Sequence, residues 1–454
     1  MTTDPRDGAA PAPRRQRAAR TARGAAARAS WLHLTLALLA LTGIAVYTVL
    51  WLKVPDALQR GTDFSASYVA ALLLREGHAA LLYDQGVEAA RHASILLPGY
   101  HVNLPFITPP ATALLTLPLT WLGPDGAYRV FSALQLLLLA GAVGVAARAA
   151  PWPGATRTPR LVTALMGVAG TATLALLLLG QWDGVCALGL ALAYAAWRRD
   201  RSVAAGIWIA LGFGIAKPHL ALGLLAYAIG RRDWRAVGGM AAGATVLAAA
   251  SVAGVGPAAT AGFVGANLFA LGHTPAASTL GLLGLASSWL GTGPLPAGIA
   301  LGGGILCLLG AGALGEHSRA GRARLETTLA AAAALSLVLS PHLLAYDLVI
   351  LAPAMVWVGG RAAALDTGQP WPGRHAAAVI AGWLALAVLV VIDAGASAPA
   401  PPGRLVPWGL LAASAALAAP GSRNRPARGS VLMAAPPSRQ AAPAPRTAAP
   451  PRPR

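Results

Sequence analysis

The stretch "LTLALLALTGIAVYTVLWL" (Leu34–Leu52) runs for nineteen residues without a charged side chain. About 20 apolar residues of helix cross the hydrocarbon core of a bilayer. Similar runs recur at Leu161–Gly180, Gly238–Gly254, Ile299–Leu314, Leu325–Leu339 and Val379–Ile392. The 454 residues are 56% hydrophobic and 11% charged, and a soluble domain would not repeat such runs. The runs are continuous rather than alternating, which predicts helices and not barrel strands. A helix satisfies its own backbone in lipid. The sequence therefore predicts an all-α polytopic membrane protein with about 10–13 transmembrane helices. Trp31, Trp51, Trp121, Trp182, Trp197 and Trp234 stand at the ends of apolar runs, where interfacial anchors are expected.

The net charge of +19 resembles a nucleic-acid signal, but its placement argues otherwise. Residues 1–30 carry seven Arg against two Asp, and residues 420–454 carry seven Arg and no acid. Arg-, Pro- and Ala-rich tails beside membrane spans read as disordered anchors near anionic lipid. No aromatic-basic module accompanies them, so no nucleic-acid partner is expected. Cys186 and Cys307 lie inside apolar runs, and neither spacing nor context predicts a metal site or a needed disulfide. The first span is too long for a signal core and is expected to remain as an anchor. The division expected is a basic tail over 1–30, a transmembrane domain over 31–419 with a long first loop at about 54–108, and a second tail over 420–454.

Orientation follows from the arginines, which mark the cytoplasmic side. "WRRDRS" (Trp197–Ser202), "GRRDWR" (Gly230–Arg235), "EHSRAGRARLE" (Glu316–Glu326) and Gly359–His375 are the basic turns. With both tails they are expected inside. The opposite turns are then outside: "GQWDG" (Gly180–Gly184), "AKPHL" (Ala216–Leu220), "GHTPAAST" (Gly272–Thr279), "SPHLLAYD" (Ser340–Asp347) and the long loop from Lys53 to about Thr108. "TPPATALLTLPLTWLG" (Thr108–Gly123) would reverse everything after Tyr128 if it crossed, so a re-entrant or tilted segment is expected there.

The outward turns hold nearly all the residues capable of chemistry. Asp63 opens "DFSASYVAALLLREG" (Asp63–Gly77). It could cap a helix that Gly77 ends, with Val69, Leu72 and Leu73 laying that helix on the membrane surface. It could equally be a general base at the membrane–water boundary. Tyr83-Asp84 is either an ordinary turn or the mouth of a site. Lys217, with His219 close by, is an ionisable residue at membrane depth and suits an anionic lipid phosphate; otherwise it is a snorkelling lysine. Ser340 and Pro341 read as a helix start that would put His342 and Tyr346 on one face, next to Asp347. Gln181 and Asp183 cap a turn or bind a sugar, and His273 and Ser278 are loop residues. No Walker loop, dinucleotide glycine pattern, HExxH or G-x-S-x-G is present.

In order, "GTDFSASYVAALLLREGHAALLYD", "FITPPATALLTLPLTWLG", the "LLLLGQWDG" turn, "GIAKPHLALGLL" with "RRDWRAV", and "LSPHLLAYDLVILAPA" resemble glycosyltransferase family 87 of the GT-C superfamily, over roughly Trp31 to Trp357. The resemblance implies a GT-C-type fold with membrane-surface helices in its first outer loop. It implies a hexosyltransferase without a cofactor or metal, in the plasma membrane of a bacterium. The donor would be a polyprenyl-phosphate sugar, usually mannose, and the acceptor a glycolipid or glycan on the outer face. Asp63 falls where the family's catalytic acid lies. Lys217 and His342 would hold the donor phosphate, and Tyr68, Tyr83, Asp84, Gln181, Asp183, His219, Tyr346 and Asp347 would line the substrate site. Trp182-Asp183 after the Gly-Gln turn departs from the family pattern, where a small polar residue is expected. The rival readings are a flippase for lipid-linked sugars and a catalytically degenerate scaffold.

Overall fold

A computed structural model describes residues 12–101, 104–154, 157–273, 279–367, 371–395 and 403–419. The expected tail at 420–454 and the loop residue Ser278 lie outside these, as does the His273 side chain. Every regular element among the described residues is a helix, and the chain is an all-α polytopic membrane protein. Helix α1 (Ala12–Leu52) begins well before its apolar run, so the basic segment expected to be structureless is helical from Ala12 onward.

Among the described residues six helices are long and apolar enough to cross a bilayer, and five shorter apolar helices accompany them. A further pair, α7 (Arg157–Val168) and α8 (Thr171–Leu179), is bent by 46° and splits the run expected as one span at Leu161–Gly180. One candidate, Pro110–Ala149, covers 40 residues. At 1.5 Å per residue it would be about 60 Å long, twice the hydrocarbon core. It is not straight. Gly123 (φ +70°) breaks it between the Pro110–Leu122 segment and the helix Gly123–Ala149.

The first loop carries α2 (Asp56–Gln59), α3 (Asp63–Arg75) and α4 (Gln85–Ala93), followed by α5 (Pro110–Thr116) and α6 (Gly123–Ala149). The Arg129 guanidinium on α6 donates to the carbonyls of Trp51, Leu52 and Val54 at the end of α1, and Arg60 pairs with Asp125 at 2.5 Å. So α6 starts on the side where α1 ends, and Thr108–Gly123 does not carry the chain across. It packs under α3 instead, with Thr112, Ala113 and Thr116 buried.

From α6 the chain runs back and forth through α9 (Asp183–Trp197), α10 (Ser202–Gly214), α11 (Leu222–Gly230), α12 (Trp234–Val255), α13 (Pro257–His273), α14 (Leu282–Leu290), α15 (Pro294–Arg319), α16 (Leu325–Val338), α17 (Ala352–Leu365), α18 (Arg374–Gly395) and α19 (Leu405–Ala418). Small residues let these helices touch backbone to backbone: a Cβ added to Gly189 would stand 2.6 Å from Gly212 Cα. Helix α16 is almost wholly buried, a core helix wrapped by protein rather than lipid.

The basic turns gather at one end. Trp197 Nε1 and Ser202 Oγ both donate to Asp233, Arg198 pairs with Glu326 at 3.3 Å, and Arg231 donates to Ser318 Oγ. His33 stacks on Trp371 at 4.7 Å, which brings the start of the first apolar run to the turn before α18. Two expected interfacial anchors are absorbed into the interior: Trp182 and Trp197 are buried, each with its indole N–H bonded to a side chain. Trp31, Trp121 and Trp234 are exposed.

Candidate active site

The Asp63 carboxylate sits where the first loop meets the bundle. Thr62, in extended conformation, is the N-cap of α3, and Asp63 is the first helical residue. Asp63 is therefore not the cap, and its side chain is free to turn toward the bundle. There it accepts from the Gln181 amide, with Tyr346 close enough to interact with it. The far end of α3 closes as expected: Gly77 (φ +80°) lets His78 N–H reach Leu73 C=O and Gly77 N–H reach Leu74 C=O. The stripe Val69, Leu72 and Leu73 is buried, however. Helix α3 lies against α4, α5 and α6, so protein covers the face expected to meet lipid.

Gln181 reaches Asp63 because of the turn before it. Gly180 takes the left-handed conformation (φ +62°) that ends α8, and its N–H and that of Gln181 both bond to Leu176 C=O. A Cβ on Gly180 would come within 2.7 Å of Phe64 Cβ, so the turn and the first turn of α3 touch directly. Phe64 stacks on Phe131, Phe131 meets Trp182 edge-on, and Trp182 Nε1 donates to Ser67 Oγ.

Behind this contact lies a buried ionic node. Lys217 Nζ donates to both oxygens of Asp183 (2.8 and 3.0 Å) and to Asp347 Oδ1 (2.5 Å). Its ammonium also stands 4.3 Å above the Tyr346 ring. Asp347 Oδ2 accepts from Leu344 N–H and so closes the turn before the Ala345–Leu351 helical segment. The expected helix start at Ser340–Pro341 is corrected by this. Residues 340–344 are irregular because Leu343 C=O bonds to Leu280 N–H and Asp347 supplies the cap. His342 and Tyr346 consequently share no helix face. His219 and His342 are half-buried and within Coulombic reach of Asp347.

The node changes the reading of Lys217. Its ammonium is paired with two buried carboxylates rather than standing open in the site. Burial pushes the Asp63 carboxyl above its ordinary range, while the Gln181 amide and the Lys217 charge pull it back. Among the described residues no cluster of three or more His, Cys, Asp or Glu is arranged to hold a metal.

The profile of glycosyltransferase family 87 matches residues 106–341, more than half of the chain. The chain belongs to glycosyltransferase family 87. Comparison with curated proteins and with solved structures yields no match. Membership makes this a membrane glycosyltransferase. The matched range is shorter than the Trp31–Trp357 expected. It includes Gln181, Asp183, Lys217 and His219 of this family 87 glycosyltransferase and leaves out Asp63, His342, Tyr346 and Asp347, whose association with the first four is a fact of the tertiary structure.

Three expected site residues do not join the node. Tyr83 donates its hydroxyl to Thr108 C=O at 2.7 Å and stacks on Phe106, pinning the loop's return. Asp84 caps α4 through Gly86 and Val87 N–H. Tyr68 packs beside Phe64 within the loop. Residues that the sequence reading passed over are buried in the same loop: Ser65, His92 and Glu88, the first two bonded to each other beside Asp63. The Glu88–His92 spacing of four on a short helix was the available signal.

Proposed function

We propose that this protein moves a sugar, usually mannose in the family it belongs to, from a polyprenyl-phosphate donor to a glycolipid or glycan on the outer face of a bacterial plasma membrane. Asp63 is the general base. It takes the proton from the acceptor hydroxyl, which attacks the anomeric carbon from the face opposite the phosphate and inverts its configuration. The observation that carries this reading is the Asp63 carboxylate held by the Gln181 amide at the junction of loop and bundle. A base is most effective when its pKa approaches the working pH, and burial moves Asp63 in that direction.

Lys217 takes a different part from the one its sequence context implied. It holds Asp183, Asp347 and the Tyr346 ring in register beside Asp63. His219 and His342, beside the node, are the groups that meet the leaving phosphate and stabilise its charge. The outward sidedness is supported by the separation of this site from the Arg-rich end of the bundle, since basic turns stay on the cytoplasmic side. Both basic tails then lie inside, flanking the domain 31–419.

The test is sugar transfer in membranes from radiolabelled polyprenyl-phosphate mannose, comparing wild type with Asp63→Asn and Asp63→Ala at matched expression. Transfer lost in both variants supports the enzyme and its base. Transfer retained in both removes Asp63 from the chemistry. Absence of transfer by wild type rejects this donor.

A further inference from the structure

Helix α3 begins without a side-chain cap of its own. Thr62 makes no capping bond to the helix and turns its hydroxyl back to Gln59 C=O at 2.8 Å. Uncapped first turns fray, because their N–H groups have no intrahelical acceptor. Asp63 is the first helical residue of that turn, so a frayed start would move the carboxylate.

The fastening comes from α4. His92 is 1% exposed, and its Nε2 lies 2.8 Å from Ser65 Oγ and 3.1 Å from Arg60 C=O. A carbonyl oxygen only accepts, so Nε2 carries the hydrogen, the ring is the Nε2–H tautomer, and its single N–H is shared between the Arg60 carbonyl and Ser65 Oγ. Ser65 Oγ in turn donates to Thr62 C=O at 2.6 Å, the same carbonyl that Ser65 N–H reaches at 2.8 Å. One imidazole thus joins the residues on both sides of Asp63: Arg60 before it and Ser65 after it. On the opposite side Phe64 is wedged against Gly180 and Phe131.

We infer that His92 is a positioning residue for Asp63, acting through Ser65 and the Arg60 carbonyl to hold the first turn of α3 in the geometry that meets Gln181. This rests on the reading of Asp63 as the base. The ring touches neither sugar nor phosphate. It sets where the carboxylate stands when the acceptor hydroxyl arrives.

The test uses the full chain in detergent, with His92→Phe, His92→Gln and Ser65→Ala. Phe keeps the volume and loses the donor. The Gln amide reaches the position of Nε2 and restores an N–H donor. The first readout is amide hydrogen exchange of the peptide spanning Arg60–Ala66, which needs no substrate. Exchange is expected to quicken about tenfold in His92→Phe, as for loss of one hydrogen bond, and to return toward wild type in His92→Gln. The second is transfer from polyprenyl-phosphate mannose, where His92→Phe is expected to lower kcat about 100-fold at unchanged donor KM. His92→Gln recovers most of that loss, and Ser65→Ala, a small change that leaves the fold intact, loses part of it. Unchanged exchange in both His92→Phe and Ser65→Ala overturns the inference. So does a Gln variant as impaired as Phe, or a loss that appears in KM alone. An Asp63→Asn variant of full activity, with exchange responding as expected at His92, overturns the role of Asp63 while leaving the fastening intact.

Discussion

Gln181 lies 118 positions beyond Asp63 in the chain, and its side-chain amide donates directly to the Asp63 carboxylate. The contact joins a turn between two membrane helices to the first turn of a loop helix. It also sets the basicity of the proposed base, because the hydrogen bond favours the ionised carboxylate.

Removing that amide has a defined consequence. Gln181→Ala is expected to slow sugar transfer about 10- to 100-fold, since a hydrogen bond to a charged group contributes about 1.5–3 kcal/mol. The loss of the Gln181 donor also raises the Asp63 pKa further. The acid limb of the rate profile therefore moves to higher pH in the variant. Transfer rates measured from pH 4 to 9 check both effects.

Lys217 is expected to matter for folding before it matters for binding. Lys217→Ala leaves Asp183 and Asp347 buried without their cation, which costs about 3–5 kcal/mol. Lys217→Met combined with Asp183→Asn and Asp347→Asn removes the charges together and is expected to recover most of the melting temperature without recovering transfer. Thermal unfolding in detergent distinguishes this from a phosphate-binding lysine, whose loss would spare stability.

Gly180→Ala and Gly77→Ala form a matched pair. Both glycines have positive φ, but a Cβ on Gly77 meets nothing within 4 Å, whereas one on Gly180 meets Phe64 at 2.7 Å. Gly77→Ala is expected to cost about 1 kcal/mol from backbone conformation alone. Gly180→Ala adds the displacement of Phe64, lowers the melting temperature further, and reduces transfer by moving Asp63. Parallel melting and rate measurements on the two variants read out the difference.

Glu88 predicts a pH dependence of the first loop. Burial raises its carboxyl to about 8, against the partial opposing effect of the Phe106 N–H bond. The folded loop thus binds a proton that the unfolded chain releases near the ordinary glutamate value. Between these two values the folded state holds more protons, so the loop is most stable below the ordinary value and weakens as pH rises toward 8. Limited proteolysis of the loop is expected to quicken from pH 5 to 8 in wild type. Glu88→Gln, which keeps an acceptor for Phe106, is expected to flatten that dependence.

Much of this protein is legible in its sequence. Apolar runs such as Leu34–Leu52, Gly238–Gly254 and Val379–Ile392 specify membrane helices, because no other backbone arrangement with those side chains is stable in lipid. Arginine placement separates the two ends of the bundle, and the structure brings Arg198, Arg231 and their neighbours to one of them. Gly77 announces the end of α3, and the prolines of Thr108–Gly123 announce a segment that does not cross.

Pairing is what the linear order does not contain. Lys217 beside Pro218 reads as an open cation, and only the packing of α9 and the Ala345–Leu351 segment around it supplies Asp183 and Asp347 as partners. Tyr83 and Asp84 look like site residues in a motif, yet local geometry assigns them to Thr108 and to the cap of α4. The apolar stripe of α3 looks like a membrane-facing surface until α4, α5 and α6 cover it. Periodicity and charge asymmetry act along one chain and against one solvent, so they can be read residue by residue. Which carboxylate meets which amine depends on contacts across 34 positions for Asp183 and 130 for Asp347, and those are fixed when the helices pack.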